Sequence, residues 1–362
     1  MINYIVQNIF ILLPSAFNLY FPSPTPQIYH KPTLRPQRTN LLVTLFCNAD
    51  LIPYNTRVLI QFLSINPMLK FFRVKQQPEQ VVPDLGAISI SLLEQDANLP
   101  FTIRQLNNLP ENVKRRIYRG LIPPALLTRF GIDPIQWTNT GKEQRVFLKA
   151  EENSEKVLVT AQSSSDASHE FFALELADNA LNGIELNLIV LNDPTAPRYS
   201  IDRTDDGAPT MFGTLKRNLP AEEDAMQAGL APGQVRAGLR GSRMVFEQLE
   251  TFLSMLGHRA YFLEPLTYAS AWVFERRGFA YVRGHKLMDD IHREFQPGGK
   301  LHQCLDEGSS FRMRDQADTV RGRAWAVHDG VLDALDARWD NIRMVKQIGR
   351  HAGVETFPQA TY

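Results

Sequence analysis

RAGLRGSRMVFEQLETFLSMLGHRAYFLEPLTYASAWVFERRGFAYVR, residues 236–283, switches its hydrophobic period from segment to segment, and those switches decide the fold. Val245, Leu249, Phe252, Leu253 and Leu256 recur at three- and four-residue steps. They predict a helix over residues 242–256 with one apolar face, closed at Gly257, where a left-handed C-cap favours glycine. Residues 259–263 then predict a short strand, residues 268–277 a second helix stopped at Gly278, and residues 279–282 another strand. Helix, strand, helix, strand at this spacing is an α/β arrangement.

Four pieces of this stretch carry a resemblance: Arg236-Ala237-Gly238-Leu239-Arg240-Gly241-Ser242, Leu256-Gly257-His258, Tyr261-Phe262-Leu263-Glu264 and Phe274-Glu275-Arg276-Arg277-Gly278-Phe279. Together they resemble motifs A and B of the GNAT superfamily of acyl-CoA N-acyltransferases. The resemblance implies a mixed, mainly antiparallel sheet flanked by helices. It also implies that the pyrophosphate of acetyl-CoA or another acyl-CoA rests on backbone N–H groups at the start of the first helix, where an Arg/Gln-x-x-Gly-x-Gly/Ala loop lets the backbone approach an anion. Carried onto this chain, Arg236 takes the first position of that loop and Gly241 the last, with Ser242 opening the helix. Leu239 stands where the family has its first glycine. Arg240 and Arg243 are further cations able to meet phosphate. Thr267 falls where the family often has asparagine. Phe274 falls where it has a tyrosine that protonates the departing thiolate, and Tyr268 is the nearest phenol in sequence. Glu264, at the end of the strand, is the candidate general base for an amine.

Upstream, short strands are expected over residues 144–149 and 156–161, and stronger ones over 171–176 and 184–191. The last two are joined through Asn182-Gly183, a step that accepts positive φ, and predict a β-hairpin. Before them, Ile103, Leu106, Leu109, Val113, Ile117 and Leu121 set a helical period from residue 84 to 130, broken at Pro110 and at Pro123-Pro124. Residues 68–150 read as an N-terminal helical module. Residues 192–233 are loop-rich with a short acidic helix near 222–228, either a surface insertion or a substrate-binding loop. Residues 1–67 show no amphipathic period and hold proline runs, so they read as a poorly structured extension, with translation starting at Met68.

Downstream of the core at 151–290, residues 291–362 read as a C-terminal helical extension. His328-Asp329 opens a helical period through Val331, Leu332, Leu335, Trp339, Ile342, Val345 and Ile348, with Asp329 as N-cap. Five histidines, His258, His285, His292, His302 and His328, lie between Gly257 and Asp329. His285, Asp289 and His292 share a helical face, with Glu294 or Cys304 nearby, and motivate a metal-dependent hydrolase as a third reading.

Composition narrows the partners. Thirty-nine basic residues balance thirty-nine acidic ones, so no general attraction to nucleic acid or to an anionic membrane is expected. Cys47 and Cys304 lie far apart and form no C-x-x-C pair, which points to a reducing, cytoplasmic setting. The partner expected is a small-molecule or amine substrate. Because Leu239 and Phe274 depart from the family pattern, a binding or regulatory protein that keeps the fold without the chemistry stands beside the acyltransferase reading.

Overall fold

The computed structural model describes residues 10–11, 101–166, 169–211 and 216–362. The expected start at Met68, the extension over 1–67 (apart from 10–11), Cys47 and the helical period before residue 101 lie outside the described residues. The strands are β1 (Phe10–Ile11), β2 (Val146–Lys149), β3 (Lys156–Gln162), β4 (Glu170–Asp178), β5 (Ile184–Leu191), β6 (Ala260–Leu263), β7 (Ala280–Arg283) and β8 (Arg343–Gln347). They form one sheet in the order β2-β3-β4-β5-β6-β8-β7, with β1 pairing β5 off that path. Every pairing is antiparallel except that of β5 with β6. The helices are α1 (Ile103–Asn107), α2 (Glu111–Tyr118), α3 (Pro124–Arg129), α4 (Leu219–Gln227), α5 (Ser242–Met255), α6 (Tyr268–Arg276), α7 (His285–Glu294), α8 (Lys300–Gln303) and α9 (Val320–His328). The chain is therefore a mixed α/β protein with a mostly antiparallel sheet and flanking helices.

Local signals set most boundaries. Pro110 caps α2 and Pro124 opens α3, positions where a missing N–H costs nothing. Asn182 takes φ +55 in the β4–β5 turn. Gly257 and Gly278, at φ +85 and +83, end α5 and α6.

The parallel pair positions the site. β6 meets β5 only at Ile184↔Tyr261 and Glu185↔Phe262, although β5 continues to Leu191. Beyond that pairing, the β5 edge at Leu188 and Ile189 is met instead by Phe10–Ile11. β5 also carries a bulge: Glu175 pairs Leu188 while Leu176 pairs Leu186, leaving Asn187 extra. The bulge inverts the alternation, so Ile184, Leu186 and Ile189 all join the main core. Leu188 and Val190 face a second cluster with Leu158 and Ala173. The Asn187 side-chain amide donates to Glu175 Oε1 at 3.0 Å, satisfying a buried polar group.

The C-terminal segment departs from the helical expectation. Helix α9 ends before Asp329, which is its C-cap rather than an N-cap. Residues 331–335 form a 3-10 turn, and residues 343–347 form β8, inserted between β6 and β7. Ile342, Val345 and Ile348 mimic a helical period. The buried positions are instead Ile342, Met344 and Lys346, at alternate steps, and a lysine in a buried strand position hides that alternation. Asp336 and Asn341, at φ +49 and +54, break any continuous helix.

Residues 192–233 are not a bare loop. Ile201, Ala225 and Leu230 build a small core with Val235, Phe311 and Trp325 of α9, and the Trp325 indole donates to the Leu230 carbonyl at 2.8 Å. A charge network tightens this contact. Arg217 grips Glu222 through Nε at 2.8 Å and Nη2 at 2.6 Å, and reaches Asp329 through Nη1 at 2.6 Å. Arg312 and Ser309 donate to the other Asp329 oxygen. Burial pushes the Glu222 and Asp329 carboxyls up, but hydrogen bonds from His328 and Arg217 on the first, and from Arg217, Arg312 and Ser309 on the second, outweigh it and hold both low. Folded values below the unfolded ones give stability that is present above pH ~4 and lost as pH falls through the folded values. Urea midpoints are expected to drop from pH 6 to pH 3. Arg217→Ala is expected to cost about 2 kcal/mol at neutral pH and to flatten that acid slope; an unchanged slope would reject the network as its source.

Candidate functional site

A cavity of about 450 Å³ opens where β5 continues past its pairing with β6. Ile189 and Leu191 of β5 and Phe246, Val273 and Phe274 of α5 and α6 make its apolar walls, while Gly238, Arg240, Gly241 and Ser242 line it at the start of α5. Leu230 of the insertion and Arg321 of α9 line the cavity as well.

The loop before α5 is fixed by backbone pairing to the end of β5. Leu239 N–H donates to the Leu191 carbonyl at 3.1 Å, and Asp193 N–H donates to that of Ala237 at 2.8 Å. This turns the Leu239 side chain into the main core, 7% exposed. Leu239 does not line the cavity. Close approach is set at Gly238, where a Cβ would lie 3.3 Å from the Leu191 carbonyl oxygen. Arg240 then takes φ +54, and Gly241, the N-cap, has φ −97 and ψ 4 with no side chain capping it. A left-handed residue followed by a right-handed one turns successive N–H groups to one side, making an anion-binding concavity. The Arg240 and Gly241 N–H groups donate to no acceptor among the described residues, and the positive end of the α5 dipole adds to their field. The Arg240 side chain is exposed and enters no hydrogen bond or ion pair among the described residues.

Arg240, Gly241 and Ser242 are thus brought together on the cavity, and the other sequence candidates lie elsewhere. Arg236 is buried, its Nη1 donating to the carbonyls of Pro194 at 3.0 Å and Ala196 at 2.6 Å. It braces the insertion. Arg243 is exposed and pairs with Glu247 at 2.8 Å, one turn on. Thr267 is the N-cap of α6, engaged in a reciprocal capping box with Ser270. Tyr268 is 1% exposed, set edge-on to Trp339 and absent from the cavity wall. Burial pushes its phenol up to about 12. Glu264 lies 3.5 Å from Arg343, which also pairs with Glu185. Burial raises the Glu264 carboxyl, Arg343 opposes that rise and Glu185 adds to it. Glu264 does not line the cavity either. Phe274 does line it, edge-on to Phe246.

The histidine face does not converge. His285 lies 3.8 Å from Asp289 and stacks on Tyr281, whereas His292 Nδ1 is 3.2 Å from the Arg323 guanidinium, a cation. Among the described residues no three His, Cys, Asp or Glu side chains are grouped to hold a metal ion, and no helix is long and apolar enough to cross a membrane. Arg321, Gly229 and Leu230 of the cavity wall were not singled out by sequence reasoning. They come from two remote segments, and no spacing along the chain joins them to the Arg240 loop. Comparison with known protein families, with curated proteins and with solved structures gives no match to this chain.

Proposed function

We propose that the chain binds an acyl-CoA thioester in this cavity and transfers its acyl group to an amine. The observation that carries the reading is a largely apolar cavity lined by Arg240 and Gly241, whose N–H groups, like the Arg240 guanidinium, have no hydrogen-bond partner among the described residues. An acyl-CoA has matching parts: an extended apolar-to-amide arm and a phosphate-rich end. The arm reaching along β5 competes with Phe10–Ile11 for the same edge. In the transfer, the amine nitrogen forms a bond to the thioester carbonyl carbon, the C–S bond breaks, and the proton lost by nitrogen ends on the thiolate. Placement of the amine supplies most of the acceleration in such a scheme.

A second reading is favoured by specific observations. Phe274 puts a ring with no acidic proton in the cavity wall, Tyr268 is sealed in the core and Glu264 is held by Arg343. These suit a protein that binds the thioester and does no chemistry on it.

Thermal denaturation with acetyl-CoA and longer acyl-CoAs tests binding. A ligand of the native state at a hundred times its dissociation constant stabilises by about 2.7 kcal/mol, so no shift at saturating concentrations would reject both readings. Arg240→Gln is expected to weaken binding about tenfold with little effect on the unliganded melting temperature. Thiol release with a panel of amines then separates transfer from binding alone.

A further inference from the structure

Strand β1 is the least secured strand of the sheet, and it borders the cavity. The outer edge of β5 has firm neighbours at both ends. β6 pairs with it at Ile184 and Glu185. At the other end the loop before α5 takes over, where Leu239 N–H donates to the Leu191 carbonyl and Asn192 bridges Gly238. β1 fills the interval between them, with Phe10 opposite Ile189 and Ile11 opposite Leu188. Ile189 and Leu191 line the cavity, so one stretch of β5 serves β1 through its backbone edge and the cavity through its side chains.

Two register pairs hold β1, against seven between β4 and β5. β6 also meets β5 at two positions only, but four further pairs to β8 secure it. β1 pairs no other strand among the described residues. The next described residue along the chain is Phe101, so each pairing event closes a long loop whose entropic cost grows with its length. An edge strand held in this way opens at a far lower free energy than the ladders beside it. We infer that Phe10–Ile11 is a built-in inhibitor of the cavity: paired, it closes the β5 edge to an extended ligand, and detached, it frees that edge while the other ladders stay formed. The inference rests on the acyl-CoA reading above and adds regulation to it. The apparent dissociation constant is the intrinsic one divided by the open fraction, so whatever captures or removes residues 10–11 tightens binding. A chain starting at Met68 lacks the inhibitor and is open throughout.

The test is calorimetric titration of the full chain with acetyl-CoA, on the wild type, the double variant Phe10→Pro with Ile11→Pro, and the double variant Ile11→Cys with Leu188→Cys. The prolines remove the β1 backbone N–H groups and are expected to tighten binding about tenfold, with little change in the unliganded melting temperature. The two cysteines stand directly across the ladder, a separation that a disulfide spans. Oxidised, that pair is expected to weaken binding about tenfold or more, and reduction to restore it; Leu188→Cys alone is the control and is expected to bind equally in both states. Unchanged affinity in the proline variant overturns the inhibitor and leaves the acyl-CoA reading standing. An oxidised cysteine pair that binds like the reduced one does the same. Where Leu188→Cys does not fold, the proline variant decides by itself. If neither the wild type nor the proline variant binds acetyl-CoA, the acyl-CoA reading is removed and the inhibitor falls with it.

Discussion

Glu275→Ala is expected to lower the unfolding free energy by about 3–5 kcal/mol, because it strands a buried cluster of donors as well as removing a charge. The Glu275 side chain is fully buried. Its Oε1 accepts from the Tyr281 hydroxyl at 2.6 Å and from the Thr356 hydroxyl at 2.8 Å, and its Oε2 accepts from the Thr356 N–H at 3.0 Å. One carboxylate therefore ties α6, β7 and the segment after β8 together. Burial raises the Tyr281 phenol far above its ordinary value, with the neighbouring Glu275 charge adding to the rise, so the phenol remains a donor throughout the neutral range. Glu275→Gln keeps the shape and one acceptor oxygen but sets an amide donor against the Thr356 N–H, and is expected to cost less, about 1–2 kcal/mol. Equal losses for the two variants in chemical denaturation would mean that packing, not hydrogen bonding, holds this junction.

Gly278→Val is expected to cost about 3 kcal/mol or more. Two penalties coincide there. The residue sits at φ +83, which a β-branched side chain adopts only under strain. A Cβ would also lie 2.8 Å from the His351 Cα, a backbone atom that cannot swing aside. The Gly278 carbonyl accepts from the Ala352 N–H at 3.1 Å, so the segment that follows β8 is laid directly against this turn. Gly278→Ala keeps the Cβ contact with less branching and is expected to fall between wild type and valine. A valine variant that melts with the wild type would show that residues 349–353 move away freely.

These two positions show what was legible in the sequence. Gly278 and Gly257 were readable because a helix stop is a local event: the positive φ belongs to the glycine itself. The period of Val245, Leu249, Phe252 and Leu253 likewise placed α5, since one face of that helix alone meets the core. Helix α6 concealed its site. Tyr268, Ala269, Ser270, Ala271, Trp272, Phe274 and Glu275 are all buried, so the helix is enclosed on every side and no face marks the cavity. Tyr268 therefore read as an available phenol, and nothing nearby in sequence announced Trp339 against it. At Lys346 the failure has another origin. Its ammonium is satisfied by the Arg350 carbonyl and by Glu250, 3.3 Å away on α5, and a lysine with such partners occupies a buried strand position that composition assigns to the surface. Arg240, Gly241 and Ser242 were legible together because they are consecutive; Arg321 was not, because only the fold carries it to them.

The place of β8 bears on how the chain is made. β6 and β7 precede β8 in sequence, yet β8 lies between them. A ribosome delivers the N-terminal side first, so the nascent chain holds two strands whose facing edges have no partner until residues 343–347 emerge. Such edges recruit any extended peptide within reach. The interval between translating Arg283 and Gln347 is thus a window in which a half-finished sheet is open to wrong partners, and the speed of translation across it bears on yield.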